Sequence, residues 1–283
     1  PDPLYDPGGG KDQPEKLEEI RRAAVGSIRE VLEKLEKKTG IAPGGSIQLV
    51  LAGNTTMVHF FLGLDAFCVF QTPYAVQADR PGFLPAAELE LPVSGYVYCY
   101  PGKSNYLGGD IISGMVATEL YKKEGISVFF DIGTNGELVV GNREFLLCGA
   151  GAAGPALEGG VVRTGMRASE GAVERVKLTE NGFELGVIGG GRPEGICGSG
   201  IIDLLAELFL AGWIDLRGKF VPEKSEKIQE KDGMYAVEYA PGLFFYQSDV
   251  DEFLRTKAAA STMVEYMLGE AGIGMNDISE FYV

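Results

Sequence analysis

The run Ser127-Val128-Phe129-Phe130-Asp131, followed at once by Ile132-Gly133-Thr134-Asn135-Gly136-Glu137, limits the folds open to this chain more than any other stretch. An apolar run that ends in Asp and reverses through glycines predicts a strand, a tight turn and a second strand over Glu137 to Val140. Glu144 to Leu147 adds a third strand after a turn at Gly141-Asn142. Glycines at such a reversal let backbone come close to a phosphate. The turn amides and the Thr134 hydroxyl can donate to its oxygens, and the Asp131 carboxylate can hold magnesium through water. The same residues also suit an ordinary Asx or Asn-Gly turn.

Upstream the pattern is helix, strand, helix, strand, helix. Glu15 to Lys38 repeats Leu17, Ile20, Ala24, Ile28, Leu32 and Leu35 at helical spacing until Gly40 and Pro43 stop it. Ile47 to Ala52 reads as a strand, with Asn54 or Thr55 capping a helix to about Leu62. Thr72 to Pro92 reads as loop, Tyr96 to Tyr100 as strand, and about Gly109 to Lys122 as helix. Gly108-Gly109-Asp110 opens that last helix. A helix N-terminus favours anions, while Asp110 there favours a cation or a polarised water, so the motif can host a metal-bound phosphate. A plain first-turn Asp is the alternative.

Downstream come glycine-rich turns at Gly149 to Pro155, Glu158-Gly159-Gly160 and Gly195 to Gly200, the last leading into a helix over Ile201 to Leu210. None is a Walker loop or a full dinucleotide fingerprint, and tight packing accounts for them equally well. A charged stretch from Lys219 to Asp232 precedes a helix from about Asp249 to Leu268 and a strand at Phe281-Tyr282-Val283.

A chain of 283 residues with 45% hydrophobic content can bury a sizeable core, and two lobes are expected. Its net charge of -15 repels phosphodiester backbones and anionic membrane surfaces, so no nucleic-acid or membrane partner is expected. No apolar run reaches membrane-spanning length, and the acidic, Pro-rich first residues do not read as a signal peptide; the cytoplasm is the expected compartment. Cys68, Cys99, Cys148 and Cys197 are too dispersed for a cluster or zinc site and read as reduced core thiols. The single histidine, His59, suits either a satisfied structural group or, with Asn54 and Thr55, a face turned to a cleft or partner.

Taken together, the helix at Gly109-Asp110, the DIGTNGE hairpin and Gly154-Pro155-Ala156-Leu157-Glu158-Gly159-Gly160 resemble the acetate-kinase, sugar-kinase, Hsp70 and actin fold. More narrowly, Leu51 to Met57 (LAGNTTM), YLGGDIISG, DIGTNGE and ICGSGIIDLL are similar to the ATP-dependent reductive activators of corrinoid proteins, over nearly the whole chain. The resemblance implies an α/β, two-lobed ATPase core with RNase H-like lobes. A partial first lobe would span residues 1–123, and a partial second lobe carrying the phosphate hairpin would span 124–283.

It further implies ATP hydrolysis coupled to reduction of a Co(II) corrinoid to Co(I), a corrinoid protein as partner, and compatibility with a homodimer. A 2Fe-2S cluster is expected only in a region N-terminal to this chain. Asp110 and Asp131 would be the catalytic carboxylates that hold Mg2+ through water. ATP would meet Gly108, Gly109, Gly133, Thr134, Asn135, Gly136, Gly154, Gly159, Gly160, Gly198 and Ser199, with Lys257 along the adenine. The three opening strands of the first lobe and the adenosine glycine pair of the second are not found, so the core is expected to be incomplete at both ends. A small-molecule kinase of the same fold, with Asp110 as base, and a non-catalytic nucleotide-dependent binding module stay open as alternatives.

Overall fold

The computed structural model describes residues 14–44, 48–133, 135–151, 154, 156 and 160–283. It has the expected mixed α/β character and divides into two compact units. The first holds the described residues up to Phe129, then Val139–Gly149 and Asp277–Tyr282; the second holds Phe130–Leu138, Ala150–Asn276 and Val283. Among the described residues, no helix is long and apolar enough to cross a membrane.

The first unit opens with α1 (Pro14–Thr39), which carries Glu15 in its first turn and Lys37 and Lys38 in its last, as the helix dipole favours. Its buried contacts come from Val25 and Leu32, with Ile28 packed alongside. Leu35, expected on the same apolar stripe, is exposed, because the helix's last turns run past the core. Next come β1 (Leu49–Leu51), α2 (Thr55–Phe61), α3 (Phe67–Phe70), β2 (Gly82–Pro85) and β3 (Tyr96–Cys99). Ile47, at the start of the expected first strand, lies outside the described residues.

These strands form a sheet of order β1-β3-β2, with β1 parallel and β2 antiparallel to β3. Leu49, Leu51, Leu84, Val97 and Cys99 face the α1 and α2 side chains Val25, Leu32 and Phe61. On the alternate positions, Val50 and Phe83 both register with Tyr98, and they are 60% and 70% exposed. One face of this sheet is therefore core and the other an open aromatic surface. The stretch from Thr72 to Pro92, expected as loop, contains β2, whose four residues offer too short an alternation to stand out.

Helix α4 (Gly109–Thr118) ends at Glu119, which adopts a left-handed φ of 52°, and Leu120 then folds into the core. Three more strands follow: β4 (Ile126–Asp131), β5 (Glu137–Gly141) and β6 (Leu146–Ala150). β6 starts later than expected because the Asn142 carboxamide accepts from the Glu144 amide at 2.9 Å, holding that residue in the turn. Ile111, Leu120 and Val139 make a small core between α4 and these strands.

The second unit contains β7 (Ala172–Thr179), β8 (Gly182–Val187), β9 (Gly195–Ile196), α5 (Gly198–Leu210), β10 (Ile228–Lys231), β11 (Met234–Ala240), β12 (Leu243–Tyr246) and α6 (Gln247–Glu270). Sheets β8-β7-β9 and β10-β11-β12 were not expected from the polar stretches that carry them. Their side chains, with Ile201, Leu204 and Leu208 of α5 and Val250 of α6, form the unit's core. Trp213 packs against it, edge-on to Phe183 with ring centroids 5.9 Å apart. Gly200 is required where α5 meets β7, since a Cβ there would lie 2.2 Å from the Val173 carbonyl oxygen.

The last strand, β13 (Ile278–Tyr282), pairs in parallel with β4 in the sheet order β13-β4-β5-β6. That sheet belongs to the first unit except for the strand ends Phe130–Asp131, Glu137–Leu138 and Ala150, which belong to the second.

Candidate functional site

In the second unit, β4 ends at the half-buried Asp131 and the chain reverses to β5. Gly133 is half-buried, Asn135 is exposed, and Gly136 is buried with φ of 76°, a left-handed value that a side chain would strain. Thr134 lies outside the described residues. The Gly136 carbonyl accepts from the Gly151 amide at 3.0 Å, so the hairpin tip is tied to the glycine-rich stretch that follows β6.

That stretch lies close to α6. A Cβ on Gly151 would come within 2.7 Å of the Met263 sulfur, and one on Gly154, whose φ is 87°, within 3.8 Å of the Thr256 hydroxyl. Of the expected site residues, the structure therefore brings Gly136 and Gly154 to one neighbourhood, beside the buried Thr256 that sequence reasoning did not single out. Gly160 is exposed, and Gly159 lies outside the described residues.

Lys257, next to Thr256 on α6, lines a different part of this unit: a cavity of roughly 490 Å³ between α5 and α6, walled by Ile202, Phe209 and Leu254 among others. Gly198 and Ser199 form the first turn of α5, where the exposed Ser199 hydroxyl lies 3.4 Å from the Cys197 sulfur.

In the first unit, Gly108 caps α4 and the Gly109 amide donates to the Gly53 carbonyl at 2.8 Å. Here the turn Gly53-Asn54-Thr55 and the start of α4 approach so closely that a Cβ on Gly108 would lie 2.5 Å from the Asn54 Cα. Asn54 caps α2 by accepting from the Met57 amide at 2.9 Å, and the Thr55 hydroxyl donates to the Ser104 carbonyl at 2.6 Å. The two motifs read separately as LAGNTTM and YLGGD are thus one cluster of backbone. Asp110 is half-buried in the first turn of α4, and its Oδ1 accepts from the Ile111 amide at 2.8 Å. It belongs to the first unit, whereas Asp131 belongs to the second.

His59 takes the structural role. It is fully buried, with Nδ1 2.7 Å from the Thr55 carbonyl and Nε2 accepting from the Gln77 amide at 3.3 Å, an arrangement served by the Nδ1-H tautomer. All four cysteines are free; burial pushes the Cys99 thiol up to about 11, far from a reactive thiolate. Among the described residues, no group of three or more His, Cys, Asp or Glu side chains is placed to hold a metal ion.

A family model described as the C-terminal domain of RACo, the ASKHA domain, matches residues 125–283, and one described as the RACo middle region matches residues 10–123. The chain is 34% identical over 210 residues to the corrinoid activation enzyme RamQ of Eubacterium limosum, covering 74% of this chain and 35% of that protein. It is 24% identical over 205 residues to the Co(II) methylated amine-specific corrinoid protein reductase of Methanosarcina barkeri, covering 65% of this chain and 36% of that one. Among solved structures, a reductive activator for corrinoid, iron-sulfur protein superposes with a TM-score of 0.82 at 36% identity, over 95% of this chain and 45% of its own. The chain spans about a third of the length of these curated relatives.

Proposed function

The chain belongs to the family of the C-terminal, ASKHA domain of RACo, and on that premise we propose that it is the nucleotide-binding ATPase core of a longer corrinoid activator. In this reading ATP hydrolysis drives the one-electron reduction of a protein-bound Co(II) corrinoid to Co(I), with the electron delivered from an iron-sulfur cluster outside these residues. The observation that carries the reading is the hairpin: an apolar strand ending in Asp131, a glycine turn, and a Gly136 carbonyl held by the Gly151 amide. Backbone amides at a glycine-rich reversal of this kind suit phosphate oxygens.

We assign the amides of Gly133 to Gly136 and the Thr134 hydroxyl to phosphate oxygens; in the first unit, the Gly108-Gly109 turn that opens α4 is assigned to nucleotide binding in its own right. Gly154, beside the hairpin, and Gly159, Gly160, Gly198 and Ser199 are assigned to the nucleotide, with Lys257 along its adenine. In the second unit Asp131 is the carboxylate that would hold magnesium through water, and in the first unit Asp110 is assigned that role by itself. A single carboxylate fits, because magnesium usually takes one or two carboxylates and keeps waters and phosphate oxygens for its other positions. When bound, that ion offsets charge on the phosphates. Residues 1–123 and 124–283 are proposed as the two partial RNase H-like lobes. The reading assigns the protein to the cytoplasm, in keeping with four free cysteines, and a homodimer is the assembly to test by sedimentation velocity.

Two measurements test this. Calorimetry on the 283-residue chain should detect Mg-ATP, with affinity lowered about tenfold or more by Asp131→Asn. The full-length protein, mixed with a Co(II) corrinoid protein and a reductant, should generate the Co(I) absorbance spectrum only when ATP is present. Co(I) formation indifferent to ATP would overturn the proposal, and a phosphorylated small-molecule product would replace it with a kinase.

A further inference from the structure

Alongside α4 in the first unit lies a cavity that the nucleotide reading does not use. Its volume of roughly 450 Å³ falls within the roughly 300–1,000 Å³ of small-molecule sites. The wall is largely apolar: Leu107, Ile111, Ile112 and Met115 line it together with the half-buried Cys148 of β6. Arg80 and Lys103 also line the cavity, and they are the two charged side chains among its described lining residues. Both are exposed. Arg80 has Asp79 beside it at 3.9 Å, and Lys103 makes no ion pair among the described residues, so the lining keeps a net positive charge.

This arrangement runs against the rest of the chain. With a net charge of -15, the protein's long-range field repels anions, and a place that attracts them must do so with local cations. The segment carrying Lys103 is also held in place. The Gly102 amide donates to the Asp79 carbonyl at 2.7 Å, the Lys103 amide to the Leu107 carbonyl at 2.7 Å, and the Thr55 hydroxyl to the Ser104 carbonyl. A ligand therefore meets a cavity whose backbone frame already exists, which lowers the ordering cost of binding.

We propose that this cavity binds a small organic anion with an apolar body, the body resting on the α4 side chains and the oxyanion head meeting Arg80 and Lys103. The site is separate from the hairpin, and the proposal stands whether or not the chain proves to be an ATPase. Arginine's planar fork suits a carboxylate or phosphate head, and the apolar wall selects against a bare inorganic ion.

The test uses the 283-residue chain and two dyes that share a body but differ in charge: the anion 1-anilinonaphthalene-8-sulfonate and the neutral N-phenyl-1-naphthylamine. The sulfonate should bind more tightly than the neutral dye. It should also slow alkylation of Cys148 but not of Cys68, followed by peptide mass spectrometry. Burial raises the Cys148 thiol above its ordinary range, so the labelling is run at alkaline pH. The double variant Arg80→Gln with Lys103→Gln should weaken the sulfonate by about tenfold and leave the neutral dye unchanged. Displacement of the dye by octanoate or by octyl phosphate then identifies the preferred head group. Equal affinity for the two dyes, an unaffected double variant, or Cys148 alkylation that neither dye slows would each overturn the proposal.

Discussion

A methyl group built on Gly108 would lie 2.5 Å from the Asn54 Cα and 2.7 Å from the Thr55 amide nitrogen, whereas one on Gly26, within α1, meets nothing within 4 Å. The same substitution should therefore have opposite signs at the two positions. Gly108→Ala must push apart backbone that cannot give and should lower stability by about 3 kcal/mol. Gly26→Ala only removes unfolded-state freedom and should raise it by about 0.5–1 kcal/mol, both read from urea midpoints. Asp249 offers a test of pH dependence. Burial raises its carboxyl above the ordinary 3.8, although it accepts from the Tyr246 amide at 2.9 Å and the Arg163 amide at 3.2 Å. A carboxyl whose folded pKa exceeds its unfolded one holds its proton more tightly in the native state. Its contribution is thus complete below about pH 4 and is lost as pH climbs through the raised value. The stability of the native chain relative to Asp249→Asn should fall as pH rises above about 4, and a flat difference would show that this carboxyl does not titrate as its burial requires.

At the scale of elements, α5 does for β7 what another strand would otherwise do. Asp203 accepts from the Val176 amide at 3.2 Å and Glu207 from the Leu178 amide at 2.9 Å, so two carboxylates one helical turn apart satisfy alternate donors of a strand. Removing one acceptor by Glu207→Ala leaves the Leu178 amide unserved and should cost about 1–3 kcal/mol in thermal or urea unfolding. This pairing also explains why the fold was only partly readable. The periodicity of α1 and the apolar run of β4 reveal themselves locally. β7, with sequence AVERVKLT, alternates poorly because its burial is shared between a sheet and a helix, and β10, with sequence IQEK, has only Ile228 buried. The hairpin from Asp131 to Glu137 was legible for the same reason as α1: its glycines and its carboxylate lie within one short stretch. The contact of Gly108 with Asn54 was not, since nothing in either motif announces the other.

For the molecule as a whole, the division into two units decides what any single measurement can report. Calorimetry and circular dichroism sum over both, and the aromatic face of Val50, Tyr98 and Phe83 belongs to the first unit alone. The one tryptophan of the chain, Trp213, packs in the second unit against Phe183 and the core around Leu204 and Leu208. With indole-selective excitation, the emission shift on adding urea should follow the unfolding of that unit. The Gly108→Ala substitution, confined to the first unit, should shift the circular-dichroism transition more than the fluorescence one. Coincident shifts in the two signals would mean that the units unfold as one. The edge-on pair of Trp213 and Phe183 is therefore a native optical label, and it lets one half of the chain be watched without attaching a dye to it.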